Sequence, residues 1–407
     1  MRDVAVIGVG MTHFGKFLEK TNKDLVREAV NEATADARID KKDIEAAYMG
    51  NAAAGLLTGQ EMVRGQVALT SMGIDEIPVY NVENACASSS SAFNLGWMAV
   101  AAGVHDCVLV TGFEKLYHKD KKISFQTIGS AVDLDNYIAY FKKVEENTGS
   151  GDKIIQEGGG DKRSMFMDMY SFLAKVYMKK YGLTQKHYAM LSVKSHKNGA
   201  LNPHAQYQDE VTLEEVLRSG DVSYPLTRMM CAPLGDGGTA AILCAKSMVA
   251  RFGSKPVWVE ASMVGSGTIA CKVEECVTKR LATKLYNAAG IGPADIDVIE
   301  VHDATSPSEI MYLIELGICP GEDAPKWIDE GYMELNGRMP TNSSGGLVAK
   351  GHPLGATGCG QIYEIVKQLR GEAGKRQVKD AKVGMTHNGG GIIGIDAAAV
   401  AMHIFKR

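Results

Sequence analysis

Residues 35–49, ADARIDKKDIEAAYM, are echoed by residues 288–300, AAGIGPADIDVIE. In each copy a helix end is followed by an isoleucine, then by Asp-Ile four residues on, then by an apolar strand. The pairs are Ile39 with Asp43-Ile44, and Ile291 with Asp295-Ile296. A unit repeated within the same strand–helix order implies two similar halves. Outward from the first copy, residues 4–9 read as a buried strand and 23–35 as a helix. Strands at 47–50 and 78–82, a helix of small residues at 88–102 and a strand at 107–111 follow. Around the second copy, 258–264 and 298–301 read as strands and 275–289 and 357–369 as helices, with closing strands at 383–386 and 395–404. Strands alternating with helices predict an α/β fold with a parallel sheet flanked by helices.

Between the halves, residues 112–227 differ in character, with glycines at 149, 151, 158, 159 and 160, an amphipathic helix near 171–181, and many Met and Tyr residues. Residues 114–200 hold 15 Lys+Arg against 10 Asp+Glu, inside a chain of net charge −4. The segment reads as an insertion with a basic face: either a solvated surface or a seat for a phosphorylated ligand. The domain plan is therefore 1–111 with 228–250, an insertion at 112–227, and 251–407.

The 407 residues, 45% hydrophobic and 23% charged, suffice for two or three packed cores. The near-neutral balance predicts no nucleic-acid and no membrane partner. No apolar run reaches transmembrane length, and residues 1–10 are too short a run for a secretory leader. The end, Phe405-Lys406-Arg407, is not a peroxisomal signal. Eight cysteines without a CxxC pair predict a reduced, cytoplasmic protein with no metal; Cys271 and Cys276 are too isolated for a zinc site.

Four residues stand where chemistry is expected. Cys86, in Asn84-Ala85-Cys86-Ala87-Ser88, falls between a strand and a helix. A helix start favours a thiolate and offers N–H groups to an oxyanion; a buried structural cysteine is the alternative. His352, in Lys350-Gly351-His352-Pro353-Leu354-Gly355-Ala356-Thr357-Gly358, occupies the matching loop of the second half. Pseudo-twofold halves bring two such loops together, and a cysteine facing a histidine is an activated nucleophile. His387 precedes Asn388 and Gly389, Gly390 and Gly391, as an acid/base or as a turn histidine. His302, at a strand end before Asp303-Ala304-Thr305, is placed to hold a water or orient a carbonyl. Asp303 orients a neighbour or caps the helix starting near Ser306. Gly8-Val9-Gly10 opens like a dinucleotide fingerprint but lacks its third glycine. Met and Tyr between 165 and 190 read as core.

Taken together, these segments resemble the thiolase superfamily over nearly the whole chain, above all the sterol-carrier-protein type and its archaeal and bacterial relatives. The resemblance rests on Asn81-Val82-Glu83-Asn84-Ala85-Cys86-Ala87, on Asn202-Pro203-His204-Ala205-Gln206, on Asp236-Gly237-Gly238-Thr239 and most specifically on Gly351-His352-Pro353-Leu354-Gly355-Ala356-Thr357-Gly358. It implies two βαβαβαββ halves in a five-layered αβαβα core with an inserted loop domain. It also implies that Cys86 attacks a 3-ketoacyl-CoA and His352 takes its proton, and that coenzyme A resolves the acyl-enzyme as co-substrate, or a second acyl-CoA condenses with it. No cofactor stays bound. The N–H groups of Cys86 and Gly389 would form one oxyanion hole, a water on His302 with His352 the other, and the insertion would hold the nucleotide of coenzyme A. The chain departs from the pattern in lacking both family cysteines besides Cys86: it has His387-Asn388-Gly389 and His302-Asp303-Ala304-Thr305 there. His387 is the replacement candidate for the second acid/base, while Ala304 and Thr305 make room for a bulky or aromatic acyl group such as that of benzoylsuccinyl-CoA. The resemblance further implies a homodimer or dimer of dimers, a possible small zinc-ribbon/OB-fold partner subunit, and no sterol-carrier domain after Arg407. The other reading is a non-catalytic acyl-CoA-binding subunit.

Overall fold

The computed structural model describes residues 1–133, 137, 141–146, 159, 162–252, 255–269 and 275–407. Cys271 and Gly149, Gly151, Gly158 and Gly160 lie outside them. The first half runs β1 (Val4–Met11), α1 (Asn22–Ala37), β2 (Ala46–Gly50), β3 (Val79–Val82), α2 (Ser88–Ala102) and β4 (Cys107–Glu114). Helices α3 (Lys121–Gly129), α4 (Phe166–Tyr181) and α5 (Gln185–Ala200) follow, then the small hairpin β5 (Asp221–Ser223) and β6 (Leu226–Thr227), then β7 (Gly237–Ala245). The second half runs β8 (Val257–Ser266), α6 (Val277–Ala289), β9 (Val298–Glu300), α7 (Ser306–Glu315), α8 (Thr357–Arg370), β10 (Val383–Ile393) and β11 (Asp396–Lys406).

The nine long-range strands are ordered β3-β2-β4-β7-β1-β8-β11-β10-β9, and Thr341 bridges to β9 at the far edge. Each half therefore has one order: β3-β2-β4-β7-β1 is matched by Thr341-β9-β10-β11-β8. The halves join where β1 pairs with β8. The predicted parallel sheet is in fact mixed. β2 lies parallel to β3 and β4, and β9 parallel to β10, but β7 is antiparallel to β1 and β4, and β11 antiparallel to β8 and β10. The sequence reading missed β7, whose Gly-rich start hides its apolar end.

The repeated segment does the same work twice. After α1 and after α6 a single 3₁₀ turn, Lys41–Asp43 or Pro293–Asp295, leads into the next strand. Asp43 Oδ2 accepts from the Asp40 N–H at 3.0 Å and Asp295 Oδ2 from the Gly292 N–H at 2.8 Å. Ile44 and Ile296 are buried beneath these turns.

Alternation along each strand sorts side chains into layers. Ala5, Ile7, Leu109 and Ile242 pack with Val26, Val30 and Ala33 of α1 on one face. Val4, Val6, Val110 and Leu243 face the middle, where they meet Phe93 of α2 and Ile362, Ile365 and Val366 of α8. The far face of the second half packs Met402 and Ile404 with Leu281 and Leu285 of α6. Helices α2 and α8 touch each other and strands of both halves, so they form the central of five layers. Each fully buried side chain such as Phe93 contributes about 1.5–3 kcal/mol. Gly8 and Gly10 are explained here: a Cβ would lie 2.3 Å from the Ala33 carbonyl oxygen or 2.1 Å from that of Ala29. They let α1 press on β1 and take no part in a nucleotide site.

Candidate active site

Cys86 sits in a 3₁₀ turn, Ala85–Ala87, directly before α2. Ala85 has φ of +48°, a left-handed conformation that costs a non-glycine residue on the order of 1 kcal/mol or more. The serines that follow hold this turn. Ser88 Oγ donates to the Ala85 carbonyl at 2.6 Å, and the Asn84 side chain donates to Ser91 Oγ at 2.8 Å. Ser89 Oγ accepts from the Cys359 N–H in α8 at 3.0 Å, and Ser90 Oγ donates to Asn388 Oδ1 at 2.8 Å. The Cys86 loop of the first half is thus wired into the second half. Gly390 makes the approach possible, since a Cβ there would lie 2.1 Å from the Asn84 carbonyl oxygen.

The second half delivers two histidines. The Cys86 sulfur and a ring nitrogen each of His302 and His352 all lie within 4.8 Å of one another, and all three residues are buried. The two rings are nearly perpendicular, 82°, with centroids 5.1 Å apart. Thr357 Oγ1 donates to the Pro353 carbonyl at 2.9 Å, which uses its only proton. Its 2.6 Å contact with His352 Nδ1 is therefore a bond accepted from Nδ1–H, leaving the Nε2 lone pair of His352 as the base. His302 has the opposite tautomer. Ser90 fixes the Asn388 amide, whose Nδ2 donates to His302 Nδ1 at 2.9 Å, so His302 presents Nε2–H. One histidine has a lone pair free to accept a proton and the other an N–H free to donate a hydrogen bond. Among the described residues this trio is the one group of His, Cys and acidic side chains converging closely enough to hold a metal ion. A ring held as Nε2–H is poorly set up as a ligand through that nitrogen.

Burial sets the charges. It pushes the Cys86 thiol up to about 12, with Glu114 adding to the effect and N–H groups of Gly391 and Cys86 itself opposing it. It drives His352 well below its usual value, helped by His302 and Lys350, and takes His302 down to about 3. Burial thus favours the neutral thiol and the neutral imidazole, against the thiolate that the helix start favours.

His387 is not in this group. It is fully buried on β10, with Nε2 3.1 Å from Thr278 Oγ1 and its ring against Tyr312 at 4.3 Å between centroids. It does not line the cavity, and burial holds it at about 3. Asp303 does not cap α7. It accepts from the Leu347 N–H at 2.7 Å, just ahead of the His352 loop, while Thr305 and Ser308 close the start of α7 with a 2.9 Å bond.

The trio opens on a cavity of about 500 Å³. Ala304 and Gly389 line it, Thr305 does not. Lys16, Lys121, Lys162 and Arg228 are lining and solvent-exposed at once, marking the open end as basic. Lys16 and Arg228 lie outside the 112–227 segment. Met167, Met169 and Tyr170, expected as plain core, also line it. So do Cys231 and Cys276, although Cys86 was the one cysteine expected at the site. Sequence reading missed Tyr312 and Glu315 as well; their 3-residue spacing on α7 was the available signal.

The chain matches the family model described as Thiolase, N-terminal domain, over residues 4–221 and that described as Thiolase C-terminal domain-like over 272–403. It is 39% identical over 412 residues to a protein named acetyl-CoA acetyltransferase from Methanothermobacter thermautotrophicus, covering all of both chains. It is 36% identical to sterol carrier protein 2 of Homo sapiens, over 98% of this chain and 71% of that protein. Two solved structures share the fold. An Ltp2-ChsH2(DUF35) aldolase has TM-score 0.76 and 22% identity over 99% of this chain and 97% of that one. A human mitochondrial 3-ketoacyl-CoA thiolase in complex with CoA has TM-score 0.70 and 17% identity over 100% of this chain and 98% of that one.

Proposed function

The chain belongs to the thiolase family and is an acyl-CoA acyltransferase, and from that premise we propose that Cys86 carries the acyl group as a thioester. The observation behind this is the convergence of one thiol, one lone-pair imidazole and one N–H imidazole at the end of a cavity. His352 Nε2 takes the thiol proton as sulfur attacks the ketone carbon of a 3-ketoacyl-CoA. The carbonyl oxygen gains charge and is held by His302 Nε2–H and by N–H groups of Cys86 and Gly389. The bond to the α-carbon breaks and the shorter acyl-CoA leaves as its enolate, whose carbon takes the proton held by His352; coenzyme A then gives its thiol proton to His352, displaces the acyl group from sulfur, and the Cys86 thiolate takes that proton back. Run backwards, the same steps are a Claisen condensation. The basic open end suits the phosphates of coenzyme A.

The finer substrate is a bulky or aromatic acyl group, supported by Ala304 in the cavity wall. Benzoylsuccinyl-CoA is the less favoured example, since its free carboxylate would meet Glu315 and Asp396, which also line the wall. A homodimer is supported by β3, an edge strand with Tyr80 49% exposed, and by Met98 of α2, 48% exposed. The aldolase resolved with a DUF35 protein supports a small partner subunit. No described helix is long and apolar enough to cross a membrane; a cytoplasmic site belongs to the same proposal.

The test is intact mass after incubation with acyl-CoA and 3-ketoacyl-CoA thioesters. A gain of one acyl group, lost in Cys86→Ala, is expected. A folded wild type that gains no mass from any thioester, alone or with a co-purified partner, would instead point to an acyl-CoA-binding subunit.

A further inference from the structure

The cavity has a second polar centre. Glu315, on the last turn of α7, is half-buried and lines the cavity. Tyr177 Oη donates to Glu315 Oε1 at 3.1 Å, and the Cys276 thiol and Thr278 hydroxyl also face the carboxyl. One turn earlier on α7, Tyr312 bonds to Tyr170, and its hydroxyl lies 3.9 Å from the Cβ position of Gly389. That same position is 3.9 Å from the His302 ring. A row of polar groups thus leads from the oxyanion site through Tyr312 to Glu315. Between this row and the basic open end the wall carries apolar side chains, Met167, Leu173, Met311 and Ile395 among them.

Hydrogen-bonding groups in an apolar cavity are costly to cover with a hydrocarbon chain, because each loses its access to water without a new partner. No mechanistic step uses Glu315, and no described lysine or arginine forms an ion pair with it. Burial raises its carboxyl to about 7, so near neutrality it can donate or accept. Asp396, beside it, adds negative potential that disfavours an anionic acyl terminus.

We propose that Glu315 and Tyr312 form an acyl-group selectivity site for an uncharged acyl chain bearing a hydroxyl group beyond its reacting carbons. The hydroxyl donates to or accepts from the Glu315 carboxyl, while its chain lies against the methionines. This presupposes acyl transfer at Cys86, which the same experiment separates from it. The probes are saturated acyl-CoA thioesters of four to ten carbons, each paired with its terminal-hydroxy counterpart, read as the rate constant of Cys86 acylation per concentration. Wild type is expected to prefer the hydroxylated partner by about tenfold or more at one chain length, as sites built around a substrate hydroxyl do. Glu315→Leu is expected to erase that preference while acylation by the plain chain is kept or improved. Equal rates for both partners at every length in wild type would overturn the proposal, even if the variant does not fold. So would a preference that survives in Glu315→Leu, or a variant that folds but loses plain-chain acylation too, which would make Glu315 part of the reaction itself. If plain chains acylate but show no preference, the selectivity site alone fails; if nothing acylates Cys86, the acyl-transfer reading fails with it.

Discussion

The two halves share an order of strands and helices, yet they meet the substrate differently. The first half offers a single reactive atom, on a turn whose Ala85 is held at φ +48° and whose serines are all engaged. The second half offers two imidazoles of opposite tautomer, each set by a neighbour: Thr357, whose proton is already engaged, accepts from His352, and the Asn388 amide donates to His302. Duplication supplies the frame and the pseudo-symmetry that makes the loops converge. Divergence at the strand ends places the thiol in one half and the two imidazoles in the other, and under the proposed mechanism this divides nucleophile from proton handling. The crossed bonds Ser90–Asn388 and Ser89–Cys359 show that neither half sets its own site geometry.

The sharpest way to break this comparison is to disable the proton-handling half alone. His352→Ala should lower acylation of Cys86 by roughly 10²–10⁴-fold while the protein stays folded. A rate within a few-fold of wild type would mean that the thiol is activated from its own half. Thr357→Val keeps the imidazole but frees its tautomer. A loss of about 10–100-fold in acylation rate, with little change in thermal midpoint, is the expected reading.

A pH titration sharpens the contrast between the cavity's two ends. Glu315 is raised from 4.5 in the unfolded chain to about 7 in the fold. A raised acid contributes stability that is fully present below its unfolded value and is lost as pH rises through its folded value. Across pH 4.5 to 7 the loss is on the order of 3 kcal/mol. Glu315→Gln should therefore flatten the fall in denaturant midpoint between pH 5 and 8, and an unchanged slope would place the titrating group elsewhere. The smallest effect is expected for His387→Asn. Behind Thr278 and Tyr312, it should leave thiolysis within about threefold of wild type. A hundredfold loss with normal stability would restore His387 as the second acid/base.

Much of this was legible in the chain. Periodicity and the repeated Asp-Ile gave both halves, because a strand or a helix buries its face by local spacing alone. The boundaries of α2 were read to the residue, while β4 runs to Glu114, three residues beyond the strand end expected at 111. Cys86, His302 and His352 could be singled out because glycine-rich loops at strand and helix ends are peculiar enough to notice. Tyr312, Glu315 and Cys276 were not, because on a helix or at its start even the three-residue spacing of Tyr312 and Glu315 matches an ordinary amphipathic segment.

By itself, then, the sequence determined the duplicated α/β frame and singled out the loops of Cys86, His302 and His352 that converge in the fold, since both follow from local pattern. Only the tertiary structure decided that the sheet is mixed, that burial opposes ionisation of Cys86, that His387 lies off the cavity, and what each histidine Nδ1 bonds to. These depend on burial and on partners far along the chain, Ser90 with Asn388 above all, and no local spacing encodes a contact between residues 298 apart.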